Sequence, residues 1–249
     1  MSWDSETFIS ALFSWDYLKG AGLALGLAAL AQAAASVLGL VLALFRGSKR
    51  GYLRALSAGY VWIFRAVPAL LILIFIWNAL PQLVPMLKQA WFSPFVAAFI
   101  GLAVLEAALM AEIFRSALSS IDAGQAAAGR ALAMRPLQIL RWVLAPQMIR
   151  VAIPPTGNQF INMIKLTSLA SVISLQELLS TAQRDVSSTF MYAEYYAAAA
   201  VYYLVIVSIF MILQAKLEQR YDWRSSRTPK NLLNKPAASV RQDRLEYQT

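Results

Sequence analysis

The chain has 249 residues, 59% of them hydrophobic, carries a net charge of +9, and contains neither cysteine nor histidine. That absence excludes disulfides, thiol chemistry, histidine metal sites and a histidine general base, so neither enzyme activity nor a metal site is expected of the chain itself. The hydrophobic content and positive mean hydropathy point to an all-α integral membrane protein.

Residues 20–45, between Lys19 and Arg46, carry no charge and are long enough to cross a bilayer core as a first span. Gly22, Gly26, Ala29, Ala33 and Ser36 recur there at steps of four and three, on a face where another helix can approach closely. General alanine richness explains the same residues. The segment before this span lacks the cationic region and small-residue cleavage site of a secretory signal, so the span is expected to stay in the mature protein. A second span is expected over residues 61–80, with Pro68 tolerated inside it and Pro81 and Pro85 ending it.

A third span starts near Ser93-Pro94, where proline suits a helix start, and runs to about Arg115. Residues 158–179, after Pro154-Pro155, predict a fourth span that is more polar than a lipid-facing helix. The fifth, over 195–215, lies between Glu194 and Lys216, with Tyr192, Tyr195 and Tyr196 as an interfacial belt. Trp62, Trp77 and Trp91 read most simply as interfacial anchors.

Five spans put the termini on opposite sides, and the cations say which. Arg46 to Arg65 hold five, Arg115 to Arg150 five more, and Lys216 onward eight, so eighteen of twenty-two fall on one side. The positive-inside rule makes that side cytoplasmic, with the N-terminus outside. The +9 charge is then topology, and nucleic-acid binding is not expected. The resulting division is an external segment at 1–19, a membrane domain at 20–218 with a cytoplasmic loop at about 120–150, and a polar, partly disordered cytoplasmic tail at 219–249.

That loop reads Gly124-Gln125-Ala126-Ala127-Ala128-Gly129-Arg130-Ala131-Leu132-Ala133-Met134, and is followed by Pro146-Gln147, Pro154-Pro155, Asn158 and Lys165-Leu166-Thr167-Ser168-Leu169. On its own it predicts a short helix lying across a membrane face. The whole series resembles the coupling loop of bacterial ATP-binding-cassette importer permeases of type I, in the branch that imports polar amino acids. That branch shows Gly-Gln-x-Glu-Ala-Ala-x-x-Leu-Gly, then Leu-Pro-Gln, Pro-x-x-Asn and Lys-x-Thr-Ser-Leu. Here the glutamate is Ala127, the second alanine Gly129, the final glycine Ala133, and the leucine before Pro146 is Ala145.

The resemblance implies a loop that docks an ATPase, with Gly124, Gln125, Ala127, Ala128, Arg130 and Leu132 as candidates, Arg130 for a charged contact and Leu132 for an apolar one. It also implies a second permease, homologous or identical, two ATPase subunits, a periplasmic solute-binding protein, and an inner-membrane location. No Gly-x-x-x-x-Gly-Lys-[Ser/Thr] occurs, so no cofactor is expected in this chain, ATP and magnesium belonging to the partner. Phe64-Arg65-Ala66-Val67-Pro68 matches the family's Phe-Arg-x-x-Pro, with Pro68 either a hinge or part of a helix entrance anchored by Arg65.

Ionisable groups inside a membrane are functional candidates by default. Glu112 lies three residues before Arg115, an i,i+3 pair that also fits the family's Ala-x-x-Ala-Glu-Ile-x-Arg. Glu106, about 240° round the helix from Glu112, can meet a substrate ammonium. Lys165 can neutralise Glu106 or face a substrate carboxylate, and Asn162, Thr167 and Ser168 supply neutral donors and acceptors. The expected function is import of a polar amino acid or an opine, driven by ATP hydrolysis on another subunit. An ion- or proton-coupled secondary transporter using Glu106 and Lys165 is the alternative.

Overall fold

The computed structural model describes residues 3–221, so the tail expected at 219–249 lies outside the described residues from position 222 onward. Regular structure among the described residues is entirely helical. A short helix, α1 (Ser5–Leu12), precedes the first long one and occupies part of the segment 1–19, for which no helix was expected. Asp4 caps it by accepting from the Glu6 amide at 3.0 Å and the Thr7 hydroxyl at 2.6 Å. The Asp4 amide donates to Glu194 Oε1 at 3.0 Å, and Tyr202 donates to the Leu12 carbonyl at 2.8 Å, holding α1 against the last helix.

Helix α2 (Trp15–Arg46) starts earlier than the uncharged run because Ser14 provides its N-cap. It packs along α6 (Pro94–Ser119), which Ser93 caps and Pro94 opens. The approach is close: a Cβ on Gly39 would stand 2.5 Å from Met110 Cβ. The stripe Gly22, Gly26, Ala29 and Ala33 is exposed, and among the described residues nothing beyond α2's own backbone lies within 4 Å of a Cβ placed on Gly22 or Gly26. Ala24, Leu27, Ala28, Ala31 and Ala35 form the buried face instead.

The second expected span is two helices, α3 (Gly51–Ala66) and α4 (Ala69–Ile74), the latter running through a π-turn (Phe75–Ala79) into α5 (Leu80–Leu83). The chain bends by 103° between them. Pro68 has no N–H to continue α3, and it forces Val67 into the extended region at φ −88° and ψ 132°. Pro81 does not end the segment: it sits in the first turn of α5, and a 3-10 turn over Pro85–Lys88 follows.

The fourth expected span is also redrawn. After α6 come α7 (Ala123–Ala131), α8 (Pro136–Gln138) and a π-turn (Ile139–Leu144), and then α9 (Ala145–Leu166) carries Pro154 and Pro155 inside it. The prolines remove amide donors in mid-helix without ending it. Gln214 donates to the Pro154 carbonyl at 3.2 Å, fastening this stretch to the last helix. The helix tightens to 3-10 over Thr167–Ile173 and breaks at Ser174, which has a φ of 64°. Helix α10 (Leu178–Thr189) follows, with Glu177 accepting from the Leu179 and Ser180 amides at 2.9 and 2.7 Å, and α11 (Tyr192–Tyr221) closes the fold.

The main core gathers Leu27, Leu73, Leu102, Met163, Ile164 and Ile173 from α2, α4, α6, α9 and the 3-10 turn. Among the described residues three helices, α2, α6 and α11, are long and apolar enough to cross a membrane, and the bent pair makes four if taken as one span. Helix α9 falls outside that set because of its polar residues.

Candidate functional site

Two regions hold the residues singled out from the sequence. In the first, Asp122 caps α7 by accepting from the Gly124 amide at 2.6 Å. The far end closes with Met134 N–H on the Gly129 carbonyl at 3.1 Å and Ala133 N–H on Arg130 at 3.0 Å. Ala133 stands there at φ 56°, the left-handed position that this cap usually gives to glycine. Gly129 is buried, and a Cβ on it would lie 2.9 Å from Ile139 Cγ1, so glycine lets α7 rest on the π-turn.

Gln147 Nε2 donates to the Val143 carbonyl at 2.8 Å and to Gln125 Oε1 at 3.4 Å, so Pro146-Gln147 and Gly124-Gln125 meet in space. Pro146 itself is exposed near the start of α9. Gly124, Gln125, Ala127, Ala128 and Arg130 are all exposed, and Leu132 is 77% exposed. Leu137 and Trp142 extend this apolar, outward-facing surface, with the Arg141 guanidinium 5.0 Å from the Trp142 ring. Sequence reasoning passed over both, since Leu137 and Trp142 lie in an apolar run broken only by Gln138 and Arg141.

The second region is a cavity of about 600 Å³ between α6 and α9. Its lining includes Glu106 from α6, Gln159, Asn162 and Lys165 from α9, and Ser168 from the 3-10 turn. Glu106 is 2% exposed, and its Oε1 has no hydrogen-bond partner among the described residues. A buried carboxylate oxygen without a partner is costly. No ion pair joins Glu106 to Lys165 among the described residues. Thr167 is fully buried with its hydroxyl on the Ile164 carbonyl at 2.7 Å and is not brought to the cavity. Ser168 reaches the lining while donating to the Lys165 carbonyl at 2.7 Å. Gln159 was missed, although it lies three residues before Asn162 on the same stripe.

Glu112 Oε2 accepts from Arg115 Nη2 at 2.7 Å and Nε at 3.1 Å, an intrahelical pair. Arg65 is exposed near the end of α3, and Pro68 marks the bend. No group of histidine, cysteine and carboxylate side chains suited to a metal occurs among the described residues.

Residues 35–223 match the family described as "Binding-protein-dependent transport system inner membrane component". The chain belongs to that family. Among individual members, it is 39% identical over 216 residues to the probable amino-acid permease protein YxeN of Bacillus subtilis, covering 87% of this chain and 95% of that one. It is 36% identical over 232 residues to the octopine transport system permease protein OccM of Rhizobium meliloti, covering 89% and 94% of the two chains. A solved chain described as an amino acid ABC transporter with histidines superposes with a TM-score of 0.79 at 30% identity, covering 88% of this chain and all of that one. The protein is accordingly a multi-pass permease of an ATP-binding-cassette transporter, a transport component that works with an ATPase and a solute-binding protein. Membership in a binding-protein-dependent family favours ATP-driven transport over the secondary transporter.

Proposed function

We propose that this permease carries a polar amino acid, or a derivative such as an opine, inward across the bacterial inner membrane. The observation that carries the reading is the match to an amino-acid permease over 95% of that protein's length. The chemistry of the cavity agrees: Glu106 meets the substrate ammonium, Lys165 its carboxylate, and Asn162 and Ser168 its neutral groups. Thr167 supports the helix end that carries them.

The chain crosses five times, through α2, the bent α3–α5 segment, α6, α9 with its 3-10 continuation, and α11. The N-terminal segment 1–19 lies outside, 20–218 form the membrane domain, and the tail 219–249 is cytoplasmic. Two permeases, identical or homologous, pair around the path, and the exposed stripe at Gly22, Gly26, Ala29 and Ala33 offers a close-packing face for the second copy. An ATPase dimer holding ATP and magnesium docks on α7, with Arg130 and Leu132 making the contacts that Ala127 cannot. Closure of the ATPase pair moves α7 together with the π-turn beneath it, and so shifts α6 against α9.

Uptake of radiolabelled polar amino acids by proteoliposomes holding the permease, its ATPase and its binding protein tests the proposal. ATP-dependent uptake, reduced at least about tenfold by Glu106→Gln with basal ATPase activity retained, is expected; a charge-assisted hydrogen bond of that strength has this effect. Full uptake by Glu106→Gln would remove the carboxylate from the path.

A further inference from the structure

A second cavity, of about 450 Å³, lies between α2, α3 and α6, away from the Glu106 cavity, and is lined by Arg46, Val61, Trp62, Arg65 and Glu112. Arg46 is the last residue of α2 and Arg65 lies in the last turn of α3. The negative end of each helix dipole favours a cation there, but a dipole does not satisfy the guanidinium N–H groups. Arg46 Nη1 is buried and has no hydrogen-bond partner among the described residues. The only carboxylate in the lining, Glu112, already holds Arg115 through Oε2 at 2.7 and 3.1 Å. Two guanidinium groups thus share one cavity with a single carboxylate that also holds Arg115, so cations outnumber anions there among the described residues.

We propose that the phosphate of an anionic phospholipid headgroup fills this cavity, held by Arg46 and Arg65. Paired guanidinium groups match phosphate oxygens in planar, bidentate geometry. The surroundings say why the phosphate comes on a lipid. Trp62 is 73% exposed at the cavity, and Leu56 and Ile63 on the same helix are 63% and 47% exposed. Cations beside a tryptophan and outward-facing aliphatic side chains are the arrangement of a headgroup boundary, where anionic lipids gather on basic clusters. The bound lipid joins the bend at Pro68 to the end of α6 from which α7 departs. This inference does not depend on the substrate assignment.

Native mass spectrometry tests it on the full chain, extracted with its partner subunits into nanodiscs from membranes of equal phosphatidylcholine and phosphatidylglycerol. The wild type retains phosphatidylglycerol in preference to phosphatidylcholine. Arg46→Gln combined with Arg65→Gln cuts that retention about tenfold, whereas Arg54→Gln, on α3 but outside the cavity, leaves it unchanged. Equal retention of both lipids by the wild type overturns the proposal whether or not the double variant assembles. So does unchanged phosphatidylglycerol in an assembled double variant, the result expected if a carboxylate of a neighbouring subunit fills the cavity. In discs of phosphatidylcholine alone, inorganic phosphate leaves the wild-type melting midpoint unchanged. A rise there, without phosphatidylglycerol retention, would replace the lipid by free phosphate.

Discussion

Replacing Ala133 by glycine should stabilise the end of α7. Ala133 sits at φ 56° as the residue that reverses the chain after the helix. An L-residue there brings Cβ against the following carbonyl at a cost of about 1–2 kcal/mol. Glycine avoids that contact but loses about 0.5–1 kcal/mol more in backbone entropy on folding. The balance favours Ala133→Gly by about 0.5–1 kcal/mol, and 1 kcal/mol is about fivefold in a local opening equilibrium. Hydrogen exchange of the Leu132, residue-133 and Met134 amides reads this directly, because they close the cap on Ala128, Arg130 and Gly129. Exchange should slow by up to about fivefold in Ala133→Gly, and should quicken in Ala127→Gly, where glycine weakens a helix interior by about 1 kcal/mol. Unchanged or faster exchange in Ala133→Gly would refute the left-handed cap and the strain assigned to it.

The contact between α2 and α6 predicts that Gly39→Ala lowers the thermal midpoint of the detergent-extracted chain, since the new Cβ would fall 2.5 Å from Met110 Cβ. Overpacking of this kind costs about 1–3 kcal/mol, while Gly59→Ala, on α3 with open space around it, should not lower the midpoint; equal midpoints would contradict the packing. Acid should loosen α1. The Asp4 carboxylate is held below its ordinary 3.8 first by the Thr7 hydroxyl and then by the Glu6 amide. A lowered pKa means that the stabilisation is present above 3.8 and is lost as pH falls through the folded value. Tryptophan fluorescence at Trp3 should therefore change on acidification in the wild type and not in Asp4→Asn; identical titrations would remove the cap.

The parts legible in the sequence were those written in local chemistry. The uncharged run before Arg46 and the proline start at Pro94 gave α2 and α6 nearly to their ends, and the alanine-rich loop gave α7. Glu106 and Lys165 were chosen for their cost in a membrane, and Asn162, Thr167 and Ser168 as neutral donors and acceptors; all but Thr167 line one cavity. Proline was read only in part. Pro68 was taken as tolerated within a span and as either a hinge or part of a helix entrance; the chain does bend at it, but the 103° angle is not written in the local sequence. Pro154-Pro155 was read as a boundary, yet α9 runs through both while Gln214, sixty residues on, binds the Pro154 carbonyl. Helix α1 is only eight residues long, and its partners on α11 lie far along the chain, so it was missed. Shorter separations in sequence likewise hid that Arg46 and Arg65 line one cavity and that Gln125 meets Gln147.

Docking of an ATPase on α7 is tested most directly by crosslinking. Because the chain has no native cysteine, one cysteine placed at Ala131 on the exposed end of α7 gives an unambiguous crosslinking probe, with a control at exposed Ser187 on α10. In membranes containing the native subunits, a crosslink from position 131 to an ATP-binding protein and none from position 187 is the expected result. No crosslink from 131 in a preparation that still moves substrate without ATP would contradict it.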